Sequence, residues 1–310
     1  FTEQSTQLRV DGPTGAFTYK VPIAIPPGRN GVQPDLSLDY NSQRTEDSIA
    51  GYGWQISTPY IQRFSKTGSQ DLYATSTAYI SSLDGELVQV SSTSPVSHRA
   101  RVDTGSYNSY SFANNTWTVY DKKGTKYIFG SDTSGRLYDT TTGTSTKTYK
   151  WMLQEIRDTN NNYATFTYSQ DSNELYPNQI TYTGNNVTAG PYTVTFATST
   201  RSDIRESYRT GFKVTTKYRI SQITIKVSGT TIGSYALSYS AGANGIRSML
   251  TSVQRTGYDE SANATTLPPW AFTYAATSSP FYTPGVKVNQ WPSSQSYLPS
   301  AANGNGINDV

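Results

Sequence analysis

Apolar and polar residues alternate with a period of two along much of this chain, and Gly, Pro, Asn and Asp cut the alternation at short intervals. That rhythm predicts β-strands with one buried face, joined by tight turns. Residues 18–25 form a β-branched run carrying Pro22. Pro26, Pro27 and Gly28, then Asn30 and Gly31, break the run, and residues 36–40 resume it as Leu-Ser-Leu-Asp-Tyr. Next comes Gly51-Tyr52-Gly53-Trp54, where two glycines allow a sharp turn or a close approach of another segment. Trp54, Ile56 and Ile61 mark a further strand. Asp84-Gly85 is a hairpin signal among strand candidates at Leu72 and Tyr73, at Tyr79 and Ile80, and at 87–90. Residues 96–115 read as a longer polar loop with one weak strand.

From Trp117 the pattern sharpens. Strands are predicted around 117–119, 127–129, 151–156, 163–168, 180–182, 192–196, 233–239, 249–253 and 270–274, with turns at 121–124 and 157–162. Phe212, Val214, Thr216, Tyr218 and Ile220 share one parity, whereas Ile223, Ile225 and Val227 share the other. A parity change inside one strand needs an extra residue, so a bulge is expected near Ser221 and Gln222. Residues 1–14 are a polar lead-in, 15–279 a β domain with possible sub-units at 15–110 and 111–279, and 280–310 a linker rich in Pro, Ser, Asn and Gly. The fold class is all-β: large antiparallel, aromatic-rich sheets with almost no helix.

Composition supports this reading. The 310 residues include 25 Tyr, 10 Phe and 5 Trp, which favour strands. Charged residues make up only 15%, and the net charge of +3 calls for no nucleic acid. There is no cysteine, hence no disulfide framework or thiolate chemistry. No apolar run reaches transmembrane length, so no membrane span is expected.

Several phrases resemble a known family. GAFTYKVPIAIPPGRNGVQPDLSLDYNSQ, GYGW, IQR, RSDIRESYRTGFKVTTKYRISQITIKV and LPPWAFTYA are similar to the SpvB-type N-terminal domain, found at the head of the B component of bacterial Tc insecticidal toxins. TWTVYDKKGTKYIFG and TYKWMLQEIRDTNNNYATFTY resemble RHS/YD repeats, in which successive hairpins extend one sheet. The resemblance implies part of a hollow shell around a toxic effector, secreted, with flanking RHS or propeller modules or other toxin components as partners. It assigns no active site to this domain.

Candidate chemistry is sparse. Asn303, Asn305 and Asp309 resemble the calcium loop of FG-GAP/VCBS blades, where Asp and Asn oxygens bind Ca²⁺ at alternate positions. Ala301 replaces the first expected Asp and Asn305 another, so the loop reads as degenerate. Val102-Asp103-Thr104-Gly105-Ser106 matches an aspartic-protease signature, but that chemistry needs a second carboxylate motif and none is present. His98 is the sole histidine; without a nucleophile elbow it reads as a surface residue of a polar loop. Arg201, Arg205 and Arg209, spaced by four, with Lys213, Lys217 and Arg219 beyond, suggest a basic stripe or, given Asp203 and Glu206, paired and solvated charge. Glu155 and Asp158 form a glycosidase-like pair on paper, with Asp158 better read as a turn cap.

The expected function is therefore a non-catalytic structural β-module of a secreted toxin-like protein, enclosing or presenting an effector. The alternative is a surface β-protein that assembles into filaments through its sheet edges or binds glycans as an adhesin.

Overall fold

The computed structural model describes residues 7–274 apart from 11, 13, 46, 75–77, 143–146 and 243–246. Its regular elements are β-strands and short 3-10 turns, with no α-helix among the described residues. Gln7–Val10, Phe17–Pro22, Ser37–Asn41 and Trp54–Ile56 form an antiparallel four-stranded sheet. Seventeen later strands form one sheet that closes on itself.

Eight strands make the closure. They pair in the order Tyr60–Phe64, Ala78–Ser81, Gly85–Gln89, Val96–Ala100, Ser109–Ala113, Thr116–Tyr120, Lys126–Phe129 and Thr148–Arg157, and the last pairs back to the first. A barrel of eight strands is narrow enough for side chains to fill its interior. Here Ile61, Tyr79, Leu87, Tyr110, Trp117, Val119, Phe129, Trp151 and Leu153 are buried. Tyr79, Phe112, Trp117 and Trp151 pack edge to face or tilted, as aromatic quadrupoles favour.

Thr148–Arg157 belongs to two structures at once. Lys150–Met152 pair with Tyr60–Gln62 in the barrel, while Glu155–Arg157 pair with Tyr163–Thr165 of the next strand, Asn162–Asp171. From there an open antiparallel meander runs through Glu174–Asn185, Tyr192–Ser207, Val214–Val227, Thr230–Ala241 and Ser248–Tyr258. Ser248–Tyr258 then carries two short strands, Ala264–Thr266 and Trp270–Ala271.

The predicted bulge is present. Ala197 pairs with Gln222 but Thr198 pairs with Ile220, which leaves Ser221 as the extra residue. Val214 and Ile220 before it, and Ile223 and Ile225 after it, are thereby all buried. Two other expectations need correction. Residues 96–115 hold two barrel strands, Val96–Ala100 and Ser109–Ala113, instead of a loop. Leu72 and Tyr73 are not a strand; they follow the 3-10 turn Ser69–Asp71, where Leu72 is buried and the Tyr73 hydroxyl donates to the Thr210 carbonyl.

The irregular segment after Pro22 crosses the open sheet and is pinned by side chains reaching up from the strands. The Tyr235 hydroxyl accepts from Ala24 N at 2.8 Å, and the Tyr182 hydroxyl donates to Pro26 O at 3.0 Å. Asn30 Nδ2 donates to Asp158 Oδ2 at 2.8 Å. The tyrosines thus satisfy backbone groups that no ladder can reach.

Three hairpins share one turn. Asp121, Asp158 and Asp259 each accept, through Oδ1, from the backbone N–H two and four residues on. The residue three places on lies in the left-handed region: Gly124 (φ +81°), Asn161 (φ +61°) and Ala262 (φ +62°). For an alanine this conformation costs about 1–2 kcal/mol. Ala262→Gly is therefore expected to stabilise the fold by about 1 kcal/mol, the relief being partly offset by glycine's unfolded freedom. Gly124→Ala should do the reverse, since its Cβ would also lie 2.9 Å from Thr159 Cγ2. Urea unfolding of the two variants checks the opposed signs.

Candidate functional site

The residues proposed from sequence for catalysis are scattered and individually committed. Asp103 holds its own turn, accepting from Gly105 N at 2.8 Å. Glu155 is gripped by Arg157 through Nε at 2.8 Å and Nη2 at 3.1 Å. Burial alone would raise the Asp158 pKa. Hydrogen bonds from Asn30, from the Asn162 side chain and backbone, and from Asn160 outweigh it and hold the carboxyl below its usual range. Asp158 is a turn cap, as its position suggested. His98 is not on the surface: it is 6% exposed, inside the barrel, and its ring meets Tyr79 and Trp117. Asn303, Asn305 and Asp309, the expected Ca²⁺ loop, lie outside the described residues. Among the described residues no three or more His, Asp and Glu side chains gather as metal ligands would.

The strongest electrostatic arrangement lies within the presumed basic stripe. Residues 192–207 form a strand, so Arg201 and Asp203 project from one face two residues apart. Their side chains are 0% and 4% exposed. Arg201 donates from Nε to Asp203 Oδ1 at 2.9 Å and from Nη2 to Oδ2 at 2.7 Å. Its Nη1 donates to Ser48 O at 2.9 Å. Asp203 also accepts from Ser248 N and Ser248 Oγ, each at 2.6 Å, and Arg219 Nη1 donates to that hydroxyl at 2.7 Å. Burial would raise the Asp203 pKa, yet the bonds from Arg201 and Ser248 force it far below the ordinary range. Both oxygens are saturated, leaving no lone pair to act as a base.

This clamp explains the Gly-Tyr-Gly-Trp phrase. Gly51 passes directly over Ser248: a Cβ on Gly51 would lie 3.0 Å from the Ser248 carbonyl oxygen, in a backbone at φ +99°. Gly53, at φ +77°, leaves room for the Tyr40 ring, whose Cε2 would be 2.7 Å from a Cβ there. Tyr52 lies under the Arg247 guanidinium at 4.1 Å, and Trp54 packs on Tyr40 and Phe272. Lys217 is paired with Asp171 at 2.9 Å and Lys213 with Glu206.

Among the described residues, two of the surface grooves combine polar with substantial apolar lining. One of about 280 Å³ is lined by Pro26, Tyr235, Arg255, Gly257, Tyr258 and Asp259. Its acid, Asp259, caps its own turn and is held below its usual pKa by hydrogen bonds from the Asn263 side chain and backbone and from the Ser261 N–H. The other, about 560 Å³, is wide and lined by Arg63, Ser65, Leu72, Tyr149, Tyr208 and Arg209, with no carboxylate. Neither brings together the acid and base that hydrolysis requires.

Breaking the clamp tests its role. Arg201→Met leaves a buried carboxylate without its countercharge and is expected to lose about 3–5 kcal/mol, whereas Arg201→Met with Asp203→Leu should recover most of that loss. A chemical-unfolding double-mutant cycle reads the coupling; additive losses would show that the pair is not one unit.

Comparison with known proteins places this geometry. Residues 11–113 and 100–191 match the family described as Salmonella virulence plasmid 65kDa B protein, SpvB. The crystal structure of TcdB2-TccC3 is similar with a TM-score of 0.74 and 18% identity, covering 88% of this chain and 17% of that one. The Photorhabdus luminescens Tc holotoxin pore gives 0.74 and 19%, covering 88% and 16%. The N-terminal domain of effector protein SpvB from Salmonella typhimurium strain LT2 gives 0.66 and 18%, covering 77% of this chain and 99% of that domain. The chain thus spans about a sixth of the Tc toxin chains that it resembles. No curated protein sequence matches significantly.

Proposed function

The chain belongs to the SpvB family, and from that premise we propose that it is a non-catalytic structural β-module of a secreted bacterial toxin-like protein, part of a wall that encloses or presents an effector. The acting unit is residues 15–279. Its partners are flanking RHS or propeller modules, or other toxin components.

One observation carries the reading: the large sheet is closed at one end and open at the other. Among the described residues the barrel strands have no free edge, whereas Ala264–Thr266 pairs on one side only, with Ser248–Tyr258, and all three residues are exposed. An open edge is a template for a further strand. Pro268 and Pro269 interrupt the same border before Trp270–Ala271, and prolines give no N–H to a ladder. A border blunted in this way favours hand-over to one flanking strand over unlimited edge-to-edge growth. The carboxylates of Asp103, Glu155, Asp158 and Asp203, each bound by neighbouring donors or cations, fit a wall better than a reactive centre.

The test is made in the full-length protein that carries this module. Electron microscopy is expected to show the sheet running into a neighbouring module of a closed shell. Ala264→Pro, which removes an N–H that faces away from Ser248–Tyr258, is expected to expose the enclosed segment to protease while the isolated module keeps its melting temperature. Ordered filaments of the isolated module, or glycan binding that is lost on replacing an exposed aromatic residue, would support the surface-protein reading instead.

A further inference from the structure

The barrel interior contains one group whose chemistry its packing does not require. His98 lies on Val96–Ala100 and is 6% exposed. Its ring stands edge to face with Tyr79 (centroids 5.6 Å apart, 88°) and against Trp117 (4.9 Å, 60°). Its Nδ1 has no hydrogen-bond partner among the described residues, and neither does the adjacent Trp117 Nε1. A buried polar atom without a partner weakens the packing around it.

The surroundings are hostile to a second cation. Arg63, from Tyr60–Phe64, already sits over the Tyr79 and Trp151 rings at 5.6 and 5.5 Å. From Ala78–Ser81 the facing titratable group is Tyr79. From Gly85–Gln89 the cross-strand neighbour is neutral Gln89, and Glu86 is engaged by Lys66 and Arg101. Ser109–Ala113 contributes Tyr110 opposite His98; the Tyr110 hydroxyl donates to Asp84 and is also hydrogen-bonded to the Ser81 hydroxyl. Asp84 is also held by Ser106 and Asn108, so its charge is already satisfied. Thr116–Tyr120 and Thr148–Arg157 present Trp117 and Trp151, and Lys126–Phe129 presents Tyr127, bonded to Asp121. None of these elements turns a free carboxylate toward the imidazole.

We propose that His98 is an acid-sensitive latch: in mildly acidic solution its protonation loosens the barrel while the open sheet keeps its packing. Burial disfavours the charged ring more than the nearby Val96 backbone, which makes no well-formed bond to Nδ1, favours it, so the pKa in the fold lies below the ordinary value. The sign follows. The unfolded chain takes up the proton from about pH 6.5 downward and the folded barrel resists it. The stabilisation by neutral His98 is complete above that pH and is lost as pH falls toward the folded value. No other side chain in the sequence has an ordinary pKa between about 5 and 8, because the chain has one histidine and no cysteine. The latch is independent of whether the wall encloses an effector.

The experiment uses the 310-residue chain. Its folding constant, followed by tryptophan fluorescence in urea, is expected to fall between pH 7 and 5.5 by up to about tenfold per pH unit, the ceiling for one proton. His98→Phe and His98→Gln should flatten that slope, either variant sufficing if the other fails to fold. Proton NMR should show the single imidazole of the native chain titrating below the ordinary histidine value of about 6.5. Hydrogen exchange, corrected for intrinsic rates, should rise in acid in the barrel strands and not in 174–258. An imidazole titrating at 6.5 or above, a slope unchanged in the variants, or exchange rising equally in both regions would overturn the proposal.

Discussion

Every strand at the border of a sheet presents unpaired N–H and C=O groups, and this fold is arranged around where those groups go. Thr148–Arg157 decides the matter. Its first half returns to Tyr60–Phe64 and closes eight strands into a barrel, removing their edges. Its second half takes Asn162–Asp171 as a new neighbour and starts a sheet that does not close. One strand ten residues long therefore divides the chain into a sealed part and an extendable part. The consequences for packing are direct. The sealed part is narrow enough for side chains to fill, hence the tryptophan-rich filling; the open part has a broad face that must be covered by something else.

The cover comes from residues 22–56, and polar contacts fix it. Apolar burial of Ile23, Val32 and Leu36 supplies most of the attraction but little positional selectivity. Selectivity comes from the Tyr182 and Tyr235 hydroxyls, from Asn30 on Asp158, and from Arg201 reaching Ser48. Each ties a backbone or side-chain group of an irregular segment to a strand far away in sequence. A buried ion pair contributes little net stability compared with apolar residues of the same shape, but it fixes register because removing one partner strands the other. The abundance of tyrosine gains a specific explanation here: its ring packs on the sheet while its hydroxyl reaches the covering segment.

Much of this was legible in the alternation. The hairpins at 117–129 and 151–168, the bulge at Ser221, the two glycines around Tyr52 and the capping role of Asp158 all follow from local pattern and turn chemistry. Residues 96–113 were not read, because the inward members of that alternation are Val96, His98, Ala100, Tyr110 and Phe112, and serine dominates between them. Hydropathy undervalues His at such a position, and only the closure of the barrel buries His98. The clamp was missed for a different reason. Arg201, Arg205 and Arg209 suggested a helical period of four, whereas the informative spacing is two, between Arg201 and Asp203 on one face of a strand. That spacing was a usable signal. Ser48 and Ser248 were not readable, since nothing local announces a contact across 153 residues.

The division at Thr148–Arg157 also bears on how such a module joins a larger body. A sheet open at both ends adds strands wherever it meets them and is prone to aggregate. A fully closed barrel joins nothing through its backbone. Among the described residues the closed part offers no free backbone edge, and at the far border Pro268 and Pro269 leave only a short unblunted run at Ala264–Thr266. Direction and register of any added strand are then set by the pairing of Gly257 with Thr265 and Thr256 with Thr266. A sheet sealed at one end and open at the other can be extended in one direction only, a geometric property that needs no reactive side chain.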